Sequence, residues 1–432
     1  MQEQETPTTH PALSRATRRR VFGGAVTVGA VSLAACGVGP AQQQAGGSMQ
    51  SKQPITLRWS TWGNEANPMA DAAAKGAAIF KEKFPHVTVT PEAQVSTPGG
   101  ASWRDKILSE WLSGTGPDVS GNCCASLPDW GRQGLLVNMD PLLKRDGKQV
   151  PLSDYVEALL KTWNTPQHGQ FALPMYMGTM GLYYNRTMFQ RKGVAFPDGT
   201  WDWNKWHDAM IRLAEPAQKR FGWYVAVNFP RPGIYIRQNG GWQVDPKDNT
   251  KAVWDTAESL NAIQWLHDRM WKENSMAKAA DIRDLGVSAY IALSQGSLAM
   301  LTDGSWILAR WVKEAPEQAD QWDVAPLPKG PKRLDTGATI DGWAMWQGSK
   351  HREESWELVK FLQSDQWQEL AVTIVGHQPA RKSWQERFIQ LTKKSNSLLA
   401  DKNLTAFTEG TSKNYARPEQ FFKDDNESKK IW

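Results

Sequence analysis

Only three cysteines occur in this chain, at positions 36, 123 and 124, and the last two are adjacent. A scaffold stapled by several disulfides is therefore excluded, and the core must hold itself together by burial. Charge of either sign is scarce as a net quantity. The formal charge is +5, and residues 1–35 carry four arginines and two glutamates, so the remainder is near +3 (5 − 4 + 2). So small and evenly spread an excess argues against nucleic acid or an anionic surface as partner. Catalytic signatures are also missing. There is no G-x-S-x-G elbow, no phosphate-cradling loop ending in Lys-Ser/Thr, and no G-x-G-x-x-G opening a helix. Gly114-Thr115-Gly116 precedes a strand, the wrong setting for a nucleotide loop. The seven histidines are scattered without metal-ligand spacing. No cofactor, metal or catalytic residue is expected. A glycosidase whose two carboxylates lie far apart in sequence stays open as the enzymatic alternative.

What is present begins with an export signal. Arg18, Arg19 and Arg20 precede an apolar, Gly- and Ala-rich stretch from Val21 to Ala35. It falls short of the ~20 residues that span a bilayer as a helix. Leu33-Ala34-Ala35-Cys36 resembles a bacterial lipoprotein signal, in which the cysteine is lipidated and becomes the new N-terminus. Arg19-Arg20-Val21-Phe22 also resembles a twin-arginine export signal. The expected order is a signal peptide over 1–35, lipid on Cys36, and a flexible tether over 36–53. The mature protein would then work at the outer face of the cell membrane, held by its lipid. It is expected to be a monomer.

The 397 residues beyond the signal (432 − 35) suit two domains rather than one. Short β-branched runs alternate with helical patterns. Strands are expected at Ile55–Trp59, Val87–Thr90, from Pro117 to Val119, Gly222–Val227 and Leu298–Thr302. Helices are expected at Ala66–Phe84, Trp103–Leu112, Val253–Trp271, Trp306–Lys313 and Glu353–Leu362. That alternation predicts βαβ units and a largely parallel sheet. Tryptophan is abundant, 23 residues against 8 tyrosines. Some fill core, as expected for Trp265, Trp271 and Trp356. The excess suggests a cleft that stacks indoles on the apolar face of a sugar ring.

An ordered set of segments carries a resemblance. Trp103-Arg104-Asp105-Lys106-Ile107 leads to Gly114-Thr115-Gly116-Pro117-Asp118-Val119 and Gly134-Leu135-Leu136. Leu182-Tyr183-Tyr184-Asn185-Arg186 and Thr200-Trp201-Asp202-Trp203 follow. Later come Asn239-Gly240-Gly241, Gly296-Ser297-Leu298-Ala299-Met300, Gly304-Ser305-Trp306, Ala325-Pro326-Leu327-Pro328, Gly342-Trp343 and the helix around Trp356. From about 54 to 380 the chain resembles the extracellular solute-binding proteins of sugar ABC importers, the family that includes maltose-binding protein.

The resemblance implies an α/β, two-lobe periplasmic-binding-protein-like (type II) fold with a hinge and an inter-lobe cleft. By analogy lobe 1 comprises 54–178 plus 297–328, and lobe 2 comprises 179–296 plus 329–432. A first crossing is expected near Tyr176–Met180. The implied partners are a carbohydrate, more readily an oligosaccharide, and the permease subunits of the importer. Trp306 is the expected stacking residue, with Asp303 beside it, and Tyr176 lies at the first crossing. Gly178 stands where maltose-type relatives carry an acid. Trp62, Asn64 and Glu65 follow the first strand, Asn64 being either a ligand contact or a helix N-cap. Asn122 and Cys123 should line the first lobe, Cys123 and Cys124 being either thiols or a vicinal disulfide. Asn228, Asp341 and Trp343 complete the set, Trp343 being either a stacking face or a buried strand residue. Trp223, Tyr224, Trp242 and Arg381 are weaker candidates. A binder of another polar ligand, such as glycerol phosphate, is the rival inside this class.

Overall fold

The computed structural model describes residues 53–62, 68–94, 102–123, 126–227, 231–248 and 250–420, with Trp62 and Cys123 described for their backbone only. Leu57 and Trp59 are buried on β1 (Ile55–Trp62). The Ala-rich helix Pro68–Lys83 packs Ala72, Ala73 and Phe80 inward and delivers the chain to β2 (Val87–Gln94). Ser102 caps the next helix, Trp103–Leu112, by accepting from Asp105 N, as a short hydroxyl side chain should. That helix ends before β3 (Val119–Cys123). β4 (Asn164–Thr165) and β5 (Gly169–Gln170) form a short hairpin. β6 (Leu173–Asn185), β7 (Met300–Gly304), β8 (Trp322–Ala325), β9 (Thr336–Met345) and β10 (Ala416–Pro418) complete the strands.

The main sheet has eight strands in the order β2-β1-β3-β9-β6-β7, with β8 on β6 and β10 on β9. It is mixed, not largely parallel. Only β1–β2, β1–β3 and β9–β10 run parallel, while β9 is antiparallel to β3 and β6, and β6 is antiparallel to β7 and β8. The βαβ rule governs strands joined by a local crossover. β9 instead enters the sheet from far along the chain, so no such constraint sets its direction. Gly222–Val227, expected as a strand, forms only single bridges, Phe221 with Leu298, Trp223 with Met276 and Tyr224 with Leu301. Its backbone alternates partners: Phe221 N and Tyr224 N donate to Ser297 and Met300, while Gly222 N donates to Ser275.

Burial divides the fold into two halves. In the first, one cluster joins Leu57, Trp59, Val119, Tyr176, Trp343, Trp356 and Trp367. Across the sheet another joins Ile107, Trp111, Trp130, Trp163, Ile340 and Ala344. In the second half, Met180, Leu182, Trp206, Trp223, Ile234, Met300 and Leu327 pack together, as do Tyr183, Leu301, Trp311, Trp322, Val324 and Phe407. β6 changes allegiance along its length. Tyr176 to Thr179 pair with β9, and Met180 to Tyr184 pair with β7.

This corrects the division expected by analogy. Residues 297–328 pack with the second half, because β7 and β8 hydrogen-bond to the far end of β6. Residues 340–375 pack with the first half, because β9 lies between β3 and β6. Later residues such as Leu399, Leu404 and Phe407 join the second half again. A third connection passes at His377–Ala380, where Met177 N donates to Gln378 O.

Tryptophan abundance is mostly a core property. Nine described tryptophans are fully buried, so most of the excess fills space rather than lining a cleft. Trp271, expected in core, is 59% exposed with the Lys278 ammonium 4.7 Å from its ring centre.

Candidate functional site

The carboxyl ends of β1, β2 and β3 end side by side, with Trp62 paired to Gln94 and, three residues back, Trp59 to Val119. Open α/β sheets place ligands at such an edge. Here the edge rests on a small polar network. Gln94 Nε2 donates to Ser60 Oγ, Ser120 Oγ and Gly121 O, and Asn122 Nδ2 donates to Ser120 Oγ at 2.7 Å. Asn122 Oδ1 and Gln94 Oε1 are buried with no hydrogen-bond partner among the described residues. Two such acceptors at one strand edge are suited to ligand hydroxyls. β-sheet register aligns Cys123 with Asp341, and Asp341 with Tyr176. Three expected residues therefore sit in one row across β3, β9 and β6.

Trp306 stands on the turn that follows β7. It is half-buried and packs against three apolar clusters, one in the first half and two in the second. Its six-membered ring lies against Gly178 of β6 and Gly304 of β7, where an added Cβ would overlap ring carbons. Gly178 is thus required by the close approach of the indole, which accounts for the missing acid at that position. Tyr183 Oη donates to Gly304 O at 2.9 Å, fixing the strand beneath. Arg231 lies 5.5 Å from the Trp306 ring centre, and its Nη1 is 3.5 Å from Asp303 Oδ1. Burial raises the Asp303 carboxyl above its ordinary pKa, against the opposing pull of Arg231.

Tyr176 stacks on His377 with ring centres 4.2 Å apart. Burial pushes the His377 imidazole down to about 3, so it is a neutral, flat partner at any ordinary pH. The adjacent Gln378 knots the connections together. Its Oε1 accepts from Thr179 N, Thr179 Oγ1 and Ser305 Oγ, and its Nε2 donates to Gln385 Oε1 and Phe407 O. The turn bearing Trp306 is therefore tied directly to the segments that pass between the halves.

Trp343 does not join this group. It is 0% exposed and sits in the core beside Trp59 and Trp367, with ring centres 5.6 and 5.9 Å away. Strand alternation sends it to the face opposite Gly342, and the helix carrying Trp367 closes over it. Trp223 is likewise core, and Arg381 is engaged by Asp154 and Asp365. Trp62 and Cys123 are placed by backbone only, and Cys36, Asn64, Glu65, Cys124 and Asn228 lie outside the described residues. Arg231, His377, Gln94 and Gln378 were missed in the sequence. Nothing local in the sequence marks these four as neighbours of Trp306 or Asn122.

Two α/β halves joined through β6, β9 and the 377–380 segment, with an aromatic and polar group at their meeting, define a two-lobe binding protein of the type II periplasmic class. Residues 62–369 match the family described as bacterial extracellular solute-binding proteins, and the chain belongs to that family. A Brucella abortus relative is 23% identical over 285 residues, covering 64% of this chain and 66% of its own length, just under two thirds. A lactose-binding protein of Rhizobium radiobacter is 25% identical over 266 residues, 59% of this chain and 58% of that protein. Among solved structures, an ABC substrate-binding protein from Listeria monocytogenes in complex with cycloalternan superposes with a TM-score of 0.74 at 17% identity, covering 88% of this chain and 91% of that one.

Proposed function

We propose that this chain is the substrate-binding lipoprotein of a carbohydrate ABC importer, a non-enzymatic monomeric receptor that captures an oligosaccharide and presents it to a membrane permease. The observation that carries this reading is Trp306, half-buried on the glycines of β6 and β7 where clusters of both halves converge. An indole held rigidly at a closing cleft offers a sugar ring a flat apolar face. The Asn122 and Gln94 acceptors supply hydroxyl contacts from the other half. The cycloalternan and lactose named for two relatives are carbohydrates, which supports the same class. Contacts from both halves would favour the closed form, and the permease would read that form.

Replacing Trp306 with alanine is expected to weaken binding by about 1–3 kcal/mol, roughly 5- to 150-fold. Titration calorimetry against a saccharide panel checks this, and unchanged affinity for the best ligand would count against the site. A labelled oligosaccharide should return intact after incubation; cleavage products would favour the carbohydrate-active enzyme instead. Attachment through Cys36 predicts a mature N-terminus carrying a diacylglycerol mass. Mass spectrometry of membrane-extracted protein checks it, and an unmodified N-terminus would sink the anchor. Among the described residues no helix is long and apolar enough to cross a membrane.

A further inference from the structure

The wall of the site around Trp306 carries a guanidinium that a neutral sugar does not need. Arg231 presents a guanidinium with five donors, and among the described residues its ionic partner is Asp303, reached by Nη1 alone at 3.5 Å. That separation is loose for a charge-assisted bond, which ordinarily closes to about 2.7–2.9 Å. The remaining donors meet no hydrogen-bond acceptor among the described residues, and the Arg231 side chain is 24% exposed. Its position over the Trp306 ring holds the cation at the indole face rather than in open solvent. A second cation acts at longer range. Arg231, Arg283 and Asp303 all act electrostatically on the half-buried Tyr224 hydroxyl. Arg231 and its carboxylate Asp303 thus lie against Trp306, and Arg283 adds a longer-range positive field at Tyr224.

Arg231 and Arg283 stand 52 positions apart, so no basic cluster is visible along the chain. The fold brings their two segments together. Phe221 and Tyr224 bridge to Leu298 and Leu301, which brings the Tyr224 segment beside β7 and its following turn. Arg283 lies on the helix Ala279–Asp284, which begins two residues after Ala277 N donates to Trp223 O.

We infer that this wall receives an anionic substituent, a carboxylate or a phosphoryl group, on the saccharide, with Arg231 donating to it in a fork and Trp306 stacking on the adjoining ring. The inference rests on the saccharide reading above and narrows its ligand class. Arg231 is suited to the task because guanidinium geometry matches planar or tetrahedral oxyanions through paired N–H groups. Asp303 aims the guanidinium and, at its loose distance, leaves most of the charge available.

The experiment is titration of the mature protein with digalacturonate, glucose 6-phosphate, glycerophosphocholine and the neutral disaccharide galactobiose, repeated with Arg231→Gln. The expected result is that digalacturonate or glucose 6-phosphate binds roughly 10- to 100-fold tighter than galactobiose. Arg231→Gln should weaken the acidic probes by much more than it weakens galactobiose, closing most of that gap, and added salt should narrow it as well. The uronate and phosphate arms tell which oxyanion is preferred. Galactobiose binding as tightly as the acidic probes, with Arg231→Gln affecting neither, would overturn the inference and leave the saccharide reading standing. Glycerophosphocholine binding alone, lost in Arg231→Gln, would retain the oxyanion contact and overturn the saccharide reading. Failure of every acidic probe to bind would overturn the inference outright.

Discussion

Truncating Trp343 to alanine should lower the unfolding free energy by about 3–5 kcal/mol, the range for removing a large buried aromatic. The side chain is fully enclosed, with Trp59 and Trp367 in tilted and edge-on contact and Gly121 directly against its ring. No rearrangement fills so large a hole cheaply, since three aromatics shape one another there. Denaturant unfolding of wild type and variant measures the loss. The comparison with Trp306→Ala is the informative part. Trp306 is only half-buried, so its truncation should spend most of its effect on ligand affinity and less on stability. A Trp343→Ala protein that unfolds like wild type yet fails to bind ligand would move Trp343 from the core to the ligand.

Replacing Asp335 with alanine should cost a similar amount, about 3–5 kcal/mol, by stranding a buried cation. Arg237 Nη2 is 2.8 Å from Asp335 Oδ1, and the two side chains are 2% and 0% exposed. Arg417 of the β10 strand also reaches Asp335. Gln238 ties the same turn down, donating to Pro328 O and Asp335 O. This knot locks the helix Gly233–Gln238 to the segment that carries the chain into β9, and so sets the route between the halves. A paired replacement, Arg237→Met with Asp335→Leu, removes both charges and should recover most of the loss, because the penalty lies in the uncompensated ion. Thermal melts of the single and double variants decide it. An Asp335→Ala protein melting within a degree of wild type would mean that the pair is solvated.

How much was legible differs between elements and site. The helix Trp103–Leu112 is found at its expected bounds, since a serine cap and a Gly-rich stop punctuate it locally. β1, β2 and the helix Arg352–Leu362 also fall near their expected positions. Gly222–Val227 failed as a strand because its backbone is shared between two neighbours, information that no local pattern holds. Gly304-Ser305-Trp306 marks Trp306 as the leading stacking residue, whereas Gly342-Trp343 leaves Trp343 open between a stacking face and a buried strand residue. Both are tryptophans within two residues of a glycine, in or beside an apolar strand. Only the position of each one in the fold, and what lies across it, separates a half-buried indole where the two halves meet from a core residue.

By itself the sequence determined the α/β alternation, the absence of a disulfide framework and of catalytic motifs, and the ordered segments of the solute-binding family, because each depends on residues near one another or on composition. Tertiary structure alone decided which half owns β7, β8 and β9, why Gly178 must be glycine, and that Arg231 lies over the Trp306 ring. Those facts depend on pairings between residues tens to hundreds of positions apart, and such pairings are settled by strand register and the packing of buried side chains rather than by local preference.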